Sequence, residues 1–299
     1  ENQCLKIPTH NGLLLARAQL LPSITTGTLI MTDLTEYHGK TAIVTGAGDG
    51  IGAMLAKNLA AAGLRVGVQD IRREAAERVA KDIGNGAFAL VFDVSNRDAC
   101  FASAEELKSQ GPINLLWINA GVGVGSPILT GKPSNIEWAL GVNVFGVIWT
   151  AQAFTPLMSN ATGPRHVGFT ASSAALRSPV GTMPLYATTK HATFAFAEAL
   201  QGELTAQDIS STILCPGLLN TQIWDGARAR PDRFGGPRRA DPSISKQWDE
   251  AKTPDLMWPE IARSIAGGGG YLTCATDGEG TQTAFETRAN QIASRIMKI

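Results

Sequence analysis

The sequence predicts an α/β fold: a doubly wound, seven-stranded parallel sheet with helices on both faces, in one domain. Three observations predict it. Thr41–Gly52, TAIVTGAGDGIG, sets a short apolar run before a glycine cluster and a helical pattern after it. Continuously apolar runs then alternate with helical patterns, the mark of a parallel sheet covered on both faces. Gly46, Asp70, Asp93 and Asn119 stand at the ends of successive apolar runs, where open α/β sheets bind their ligands.

The glycine stretch is the organising element. Ala42, Ile43 and Val44 end in Thr45-Gly46, Gly48, Gly50 and Gly52 follow, and a helix begins at Ala53. Strand, glycine turn and helix point backbone N–H groups and a helix N-terminus at a pyrophosphate. A Cβ there would clash with the turn or hold the backbone away from the phosphates. Asp70, ending the next apolar run, is spaced to grip the hydroxyls of an adenosine ribose. This is a dinucleotide site on a Rossmann-type sheet.

The chain has 299 residues, 44% apolar and 17% charged, with a formal net charge of +0. That is enough for one large α/β domain or two small ones. Neutrality argues against nucleic acid or an anionic membrane as the partner. Cys4, Cys100, Cys215 and Cys274 are scattered, without C-x-x-C and without histidines at ligand spacing. Reduced, buried thiols are therefore expected rather than a disulfide framework or a metal site, which implies a cytoplasmic setting. Residues 1–30 differ from the rest. The apolar run Leu13–Leu21 is broken by Arg17 and Gln19 and stopped by Pro22, too short to span a bilayer. A transit peptide fits the scarcity of acidic residues there. Met31 precedes a natural domain start, so residues 1–30 are expected to be a leader or an artificial extension, with the domain at 31–299.

In order, an Ala-rich helix Ala53–Ala62 ends at Gly63, and Arg65–Gln69 is a strand finishing at Asp70. A charged helix Ile71–Ile83 closes at Gly84. The strand Ala87–Phe92 leads to Asp93-Val94, the helix from Asn96 to Gln110 ends at Gly111-Pro112, and the strand Ile113–Ile118 leads to Asn119-Ala120-Gly121. Asp70 and Asp49 both repel a 2′-phosphate, favouring NAD over NADP. Arg72 and Arg73 are the counter-evidence, read here as the solvated face of their helix.

Pro133–Met158 is a long helix with Asn143 inside it, and Asn is a poor mid-helix residue, so it faces water or has a task. His166–Thr170 is the next strand, followed by Ser172-Ser173. Pro184 opens a helix that is apolar nearly all round, implying burial in the core or a subunit interface. Tyr186 and Lys190 share one face of it. A phenol normally titrates near about 10, and an adjacent ammonium lowers that value, making Tyr186 a general acid or base. His166 and His191 are read as structural.

The ordered set T-G-x-x-x-G-x-G (Thr45–Gly52), Asn119-Ala-Gly, Asn143, Ser173 thirteen residues before Tyr186, Y-x-x-x-K, and Pro216-Gly217 before Thr221 resembles the short-chain dehydrogenase/reductase family from about residue 38 onward. The resemblance implies an NAD-dependent alcohol dehydrogenase. In it Tyr186 exchanges the proton, Ser173 (or Ser172, one register away) holds the substrate oxygen, and Lys190 lowers the Tyr186 pKa and binds the nicotinamide ribose. Asn143 positions a relay water. Gly46, Gly50, Ile51 and Gly52 meet the pyrophosphate, with Asp49 in the same turn. Asp70 meets the adenosine ribose, and Asp93 and Val94 the adenine. Asn119, Ala120 and Gly121 border the nicotinamide, and Pro216, Gly217, Leu219 and Thr221 lie toward its carboxamide. A homodimer or homotetramer built partly from the Asn143 and Tyr186 helices is implied as well. Where the family has two asparagines before Ala-Gly, this chain has Ile118 first.

Asp208–Leu214 reads as the sixth strand with Cys215-Pro216-Gly217 its exit. Residues 218–258 then form an irregular stretch carrying Trp224, Trp248 and Trp258, expected to be a substrate lid or else a surface insertion. Pro259–Ala266 reads as a helix, Tyr271–Ala275 as a strand and Gln282–Ile299 as a helix with Ile292, Ile296 and Met297 on one face. Arg230–Gly235 and Trp258-Pro-Glu260 resemble the Cα-dehydrogenases of bacterial lignin aryl-ether breakdown. That similarity implies a benzylic or other aryl secondary alcohol as substrate. A steroid or small-ketone reductase is the alternative, and a dinucleotide-sensing regulator without turnover is the alternative of another class.

Overall fold

The computed structural model describes residues 34–177, 183–239, 251–274 and 278–294. The expected leader at 1–30, Trp248, Ile296 and Met297 lie outside the described residues. In chain order the elements are β1 (Thr41–Val44), α1 (Gly50–Ala61), β2 (Arg65–Asp70), α2 (Arg73–Ile83), β3 (Phe88–Val91), α3 (Arg97–Lys108) and β4 (Leu115–Ile118). They continue as α4 (Pro133–Leu140), α5 (Gly146–Phe154), β5 (His166–Thr170), α6 (Pro184–Thr205), β6 (Ser210–Pro216), α7 (Trp258–Ala266), β7 (Gly269–Cys274) and α8 (Gly278–Ala293). The sheet has seven parallel strands in the order β3-β2-β1-β4-β5-β6-β7. The order in which strands are added reverses between β1 and β4, which opens a crevice at their carboxyl ends.

Alternation along each strand divides the core in two. Ile43, Leu116, Val167 and Ile213 face α3, α4, α5 and α6. Ala42, Val44, Leu115, Trp117 and Leu214 face α1, α2 and α7. Leu55 and Leu59, four apart on α1, are wholly buried on the second side. Truncating either to Ala would cost about 2–5 kcal/mol.

Several boundaries differ from expectation for identifiable reasons. Helix α1 starts at Gly50, three residues early, because Gly50 and Gly52 form its first turn. Strand β6 starts at Ser210 rather than Asp208, since Asp208 is a left-handed turn residue (φ +55) whose N–H closes the end of α6 on Thr205. At its other end β6 continues through Cys215 and Pro216, which pair with Thr273 and Cys274 of β7. Strand β7 takes in Gly269 and Gly270, and α8 begins at Gly278, earlier than expected. The 133–158 helix is interrupted by a π turn, Gly141–Phe145, holding Asn143. By length and composition alone this run could cross a membrane, but 56% of its most apolar window is buried inside the protein.

Candidate active site

The glycine turn between β1 and α1 is built by close approach. Gly46 has φ +62, and a Cβ on it would lie 2.8 Å from Ala120 Cα. A Cβ on Gly52 would collide with the Gly46 carbonyl. Thr45 Oγ1 accepts from the N–H groups of Asn119 (2.9 Å) and Ala120 (3.1 Å), tying the turn to the end of β4. Gln69 braces the other side: its Oε1 accepts from Gly46 N (3.0 Å) and its Nε2 donates to Phe92 O (2.6 Å). Asp49 stands at the N-cap of α1 without capping it, which leaves the first N–H groups of the helix for a ligand.

At the end of β2, Asp70 is 6% exposed. It accepts from Gly48 N (3.0 Å), Arg72 N (2.9 Å) and Arg72 Nε (3.1 Å). Arg72 also reaches Asp49 (2.7 Å), and Arg228 meets the same Asp49 oxygen at 2.6 Å. The solvated-face reading of Arg72 is therefore corrected: at the N-cap position of α2, its side chain bridges two carboxylates instead. Burial pulls its pKa down, but the bonds and charges of Asp70 and Asp49 outweigh this and hold it above the ordinary value. Arg73, paired with Glu77, does face solvent.

Tyr186 and Lys190 lie one turn apart at the start of α6, with Lys190 Nζ 5.9 Å from the phenol ring centroid. Lys190 is 3% exposed and donates to Thr170 O (3.1 Å). Burial pushes its ammonium down to about 8. Burial pushes the Tyr186 phenol up, with the Ser172 hydroxyl opposing. Ser172 and Ser173 both line the cavity that Tyr186 lines. Ser172 is the extended residue before a short 3₁₀ turn, and Ser173 opens that turn on the same cavity wall. Asn143 is fully buried. Its Oδ1 accepts from Val122 N (2.8 Å), while Nδ2 donates to Val122 O and Thr189 Oγ1 (both 2.9 Å). Its main-chain carbonyl accepts from Thr193 Oγ1 (2.6 Å).

These groups share one cavity of about 580 Å³. Gly46, Asp49, Gly50, Ile51, Asp70, Asp93, Val94, Asn119, Ala120, Gly121, Ser172, Ser173, Tyr186, Lys190, Pro216, Gly217, Leu219 and Thr221 all line it. Gly52 lies just behind, packed on Gly46, and Asn143 sits behind Val122. Asp93 is held by Ser95 (2.6 Å) and Arg233 (2.7 Å). His166 and His191 do not reach the cavity. His166 is buried between Trp117 and Ser210, where desolvation lowers its pKa to about 3, and His191 bonds Ala187 and Arg288. Trp224 packs on Tyr186 with ring centroids 5.7 Å apart. Trp258, the last residue of the expected lid, opens α7 and packs, partly buried, against the core cluster on the α1, α2 and α7 side of the sheet. Sequence reasoning misses Gln69 and Arg228. A glutamine in the apolar run Val66–Gln69 is the available signal for the first, and nothing local marks the second. Among the described residues no group of three or more His, Cys, Asp or Glu could hold a metal ion.

The profile of the short-chain dehydrogenase family matches residues 40–232. The chain belongs to that family. This short-chain dehydrogenase is 34% identical over 193 residues to the probable oxidoreductase EphD of Mycobacterium tuberculosis (62% of this chain, 32% of EphD). It is 33% identical over 190 residues to human estradiol 17-beta-dehydrogenase 11 (61% and 63%). It is also 32% identical over 224 residues to 1-deoxy-11-beta-hydroxypentalenate dehydrogenase of Streptomyces avermitilis (73% and 79%). The chain thus spans about a third of EphD and under two thirds of the estradiol dehydrogenase. Among solved structures it resembles a short-chain dehydrogenase/reductase from Burkholderia phymatum in complex with NAD, with TM-score 0.78, 28% identity, and coverage of 88% and 98%. LigD from Sphingobium shares the fold, with TM-score 0.71 and 21% identity over 88% of this chain and all of that one.

Proposed function

We propose that this short-chain dehydrogenase is an NAD(H)-dependent oxidoreductase interconverting an apolar, aryl-bearing secondary alcohol and its ketone. The observation that carries the reading is the Tyr186 phenol. It stands one turn from buried Lys190 and opens on the cavity that Ser172, Ser173, the glycine turn and Asp70 also line. The close-packed glycines and uncapped α1 fit a dinucleotide pyrophosphate. Asp70 fits ribose hydroxyls and repels a 2′-phosphate, and the neighbour solved with NAD supports the same choice.

Bound nicotinamide supplies the hydride acceptor or donor. Tyr186 takes the hydroxyl proton in oxidation and returns it in reduction, and Ser173, or Ser172 one register away, holds the same oxygen. Lys190 lies where it can hold the nicotinamide ribose. The Asn143 side chain is wholly engaged by protein groups, so it acts as a positioning residue. Any relay water meets its main-chain carbonyl, which keeps a lone pair beside the Thr193 bond. Trp224, Trp138 and Ile223 give the cavity an apolar, aromatic wall, supporting an aryl substrate and a lid function for the start of 218–258. The estradiol dehydrogenase relative favours a steroid as the second reading.

The test is NAD against NADP reduction across benzylic, steroid and aliphatic secondary alcohols, with Tyr186→Phe alongside. An enzyme keeps NAD binding by calorimetry and loses about 10²–10⁴-fold in kcat. NAD binding without turnover in either protein would instead make the chain a dinucleotide-sensing regulator. The same reading includes a cytoplasmic homodimer or homotetramer. Cys100 and Cys215 are buried thiols outside any disulfide. Phe145, 47% exposed and stacked on Trp149, gives α5 an apolar outer face. A monomer in equilibrium sedimentation would reject the assembly.

A further inference from the structure

Helix α8 meets the rest of the chain through a narrow inner face. Thr281, buried, and Ala284 and Arg288, half-buried, recur on it at helical spacing. Its two large apolar residues, Phe285 and Ile292, are 48% and 56% exposed, so apolar burial does little to fix where the helix sits. Polar bonds do more. Arg177 Nη2 donates to Thr281 Oγ1 (2.8 Å). Arg288 Nη1 donates to His191 Nε2 (2.7 Å) and, more weakly, to the Ala175 carbonyl (3.4 Å).

The two acceptors of Arg288 belong to the two elements that carry the candidate chemistry. Ala175 ends the 3₁₀ turn that Ser173 opens after Ser172. His191 stands on α6, the helix that Tyr186 helps to open. Its Nδ1 lies 2.8 Å from the Ala187 carbonyl, which can only accept, so Nδ1 carries the ring proton and Nε2 is left to accept from Arg288. Ala187 follows Tyr186 and lines the same cavity. One guanidinium nitrogen therefore spans the serine turn and the phenol's helix. The bond from Arg177, itself a lining residue, fastens α8 to the same wall one step further along.

We propose that Arg288 is a positioning residue for proton transfer: it sets the turn of Ser172 and Ser173 against the helix of Tyr186. Its effect on rate rests on the dehydrogenase reading, but the bridge itself is tested without turnover. A shift of about 1 Å between groups that share one substrate oxygen can cost about 10²-fold in rate. The glycine turn and Asp70 stand on β1 and β2, away from this bridge, so dinucleotide affinity is not expected to change with it.

Arg288→Ala, His191→Leu, their double variant and His191→Gln are compared with the parent by amide hydrogen exchange, NAD calorimetry and turnover of benzylic and steroid alcohols. Glutamine keeps an acceptor where Nε2 stands, and leucine does not. In Arg288→Ala exchange should quicken at the Ala175 and Leu176 amides, which donate to the Ser172 and Ser173 carbonyls and close the turn. Its kcat should fall about tenfold or more with NAD affinity unchanged. His191→Leu should move kcat the same way, and the double variant should be no worse than Arg288→Ala, because the two residues act through one bond. His191→Gln should stay within a few-fold of the parent. Unchanged exchange at Ala175 and Leu176 in Arg288→Ala would overturn the proposal whether or not the chain turns over an alcohol. So would faster exchange with kcat unchanged, or a loss of NAD affinity as large as the loss in kcat, which would mark a general loosening of the fold. A parent inactive on every alcohol, with Arg288→Ala still quickening exchange at these amides, would strike the dehydrogenase reading and leave the bridge standing.

Discussion

Arg228 and Asp49 are 179 residues apart in the chain and 2.6 Å apart in the structure. Through this pair the irregular segment after β6 is fastened to the glycine turn. Both side chains are about a third exposed (30% and 33%), so the pair contributes under about 1 kcal/mol to global stability. Its larger effect is local. Arg228→Ala is expected to leave the denaturation midpoint nearly unchanged while speeding amide exchange across 222–239 and raising the KM for dinucleotide several-fold. Unchanged exchange in that segment would show that the pair fastens nothing.

Ser172 and Ser173 both line the cavity that Tyr186 lines, and spacing assigns the substrate oxygen to Ser173. Ser173→Ala should lower kcat by about 10²-fold or more, whereas Ser172→Ala should stay within a few-fold of the parent enzyme. Reversed effects in steady-state kinetics would move the role to Ser172.

Those serines show what a sequence conveys. Their order and distance from Tyr186 are visible, but the extended backbone at Ser172 and the 3₁₀ turn that Ser173 opens are a three-dimensional outcome. Strand ends are legible where apolar runs stop at polar residues: β5 is expected at His166–Thr170 and is found there. The ends of β6 are not, since Asp208 looks as extendable as Ser210 until its left-handed turn is seen. Asn143 stands out as a misfit inside a helix, and its π turn with a fully bonded amide gives the reason. Arg72 looks like any charged helical residue, because the carboxylate it shares with Arg228 is distant in sequence. Trp224 and Trp258 are indistinguishable by composition, yet one meets the phenol and the other the core.

On the proposed function, Asp70 and the Arg72 it holds set the choice of dinucleotide. Asp70→Ala removes the acceptor for Gly48 N and frees Arg72 from one of its two carboxylates. Charge-assisted bonds of this kind contribute about 1.5–3 kcal/mol, so kcat/KM with NAD is expected to fall about 10–100-fold. The released Arg72 faces the position of a 2′-phosphate, so NADP should be affected less or gain. An unchanged ratio of NADP to NAD efficiency would remove Asp70 from cofactor selection.

Lys190 makes a pH-dependent contribution whose sign can be worked out. Burial depresses its pKa from 10.5 to about 8, so between those values the unfolded chain binds more protons than the folded one. Stability from this group therefore rises as pH climbs from about 8 to 10.5. Below pH 8 the full penalty of burying the ammonium is present. Lys190→Met removes that penalty but leaves the Thr170 carbonyl without its donor, which costs about 1 kcal/mol. The net expectation at pH 7 is a stabilisation on the order of 2 kcal/mol with loss of turnover. Urea denaturation of the two proteins should show this gap closing, and then reversing, as pH approaches 10. A variant less stable than its parent at pH 7 would mean that the buried ammonium is better compensated than its single bond to Thr170 indicates.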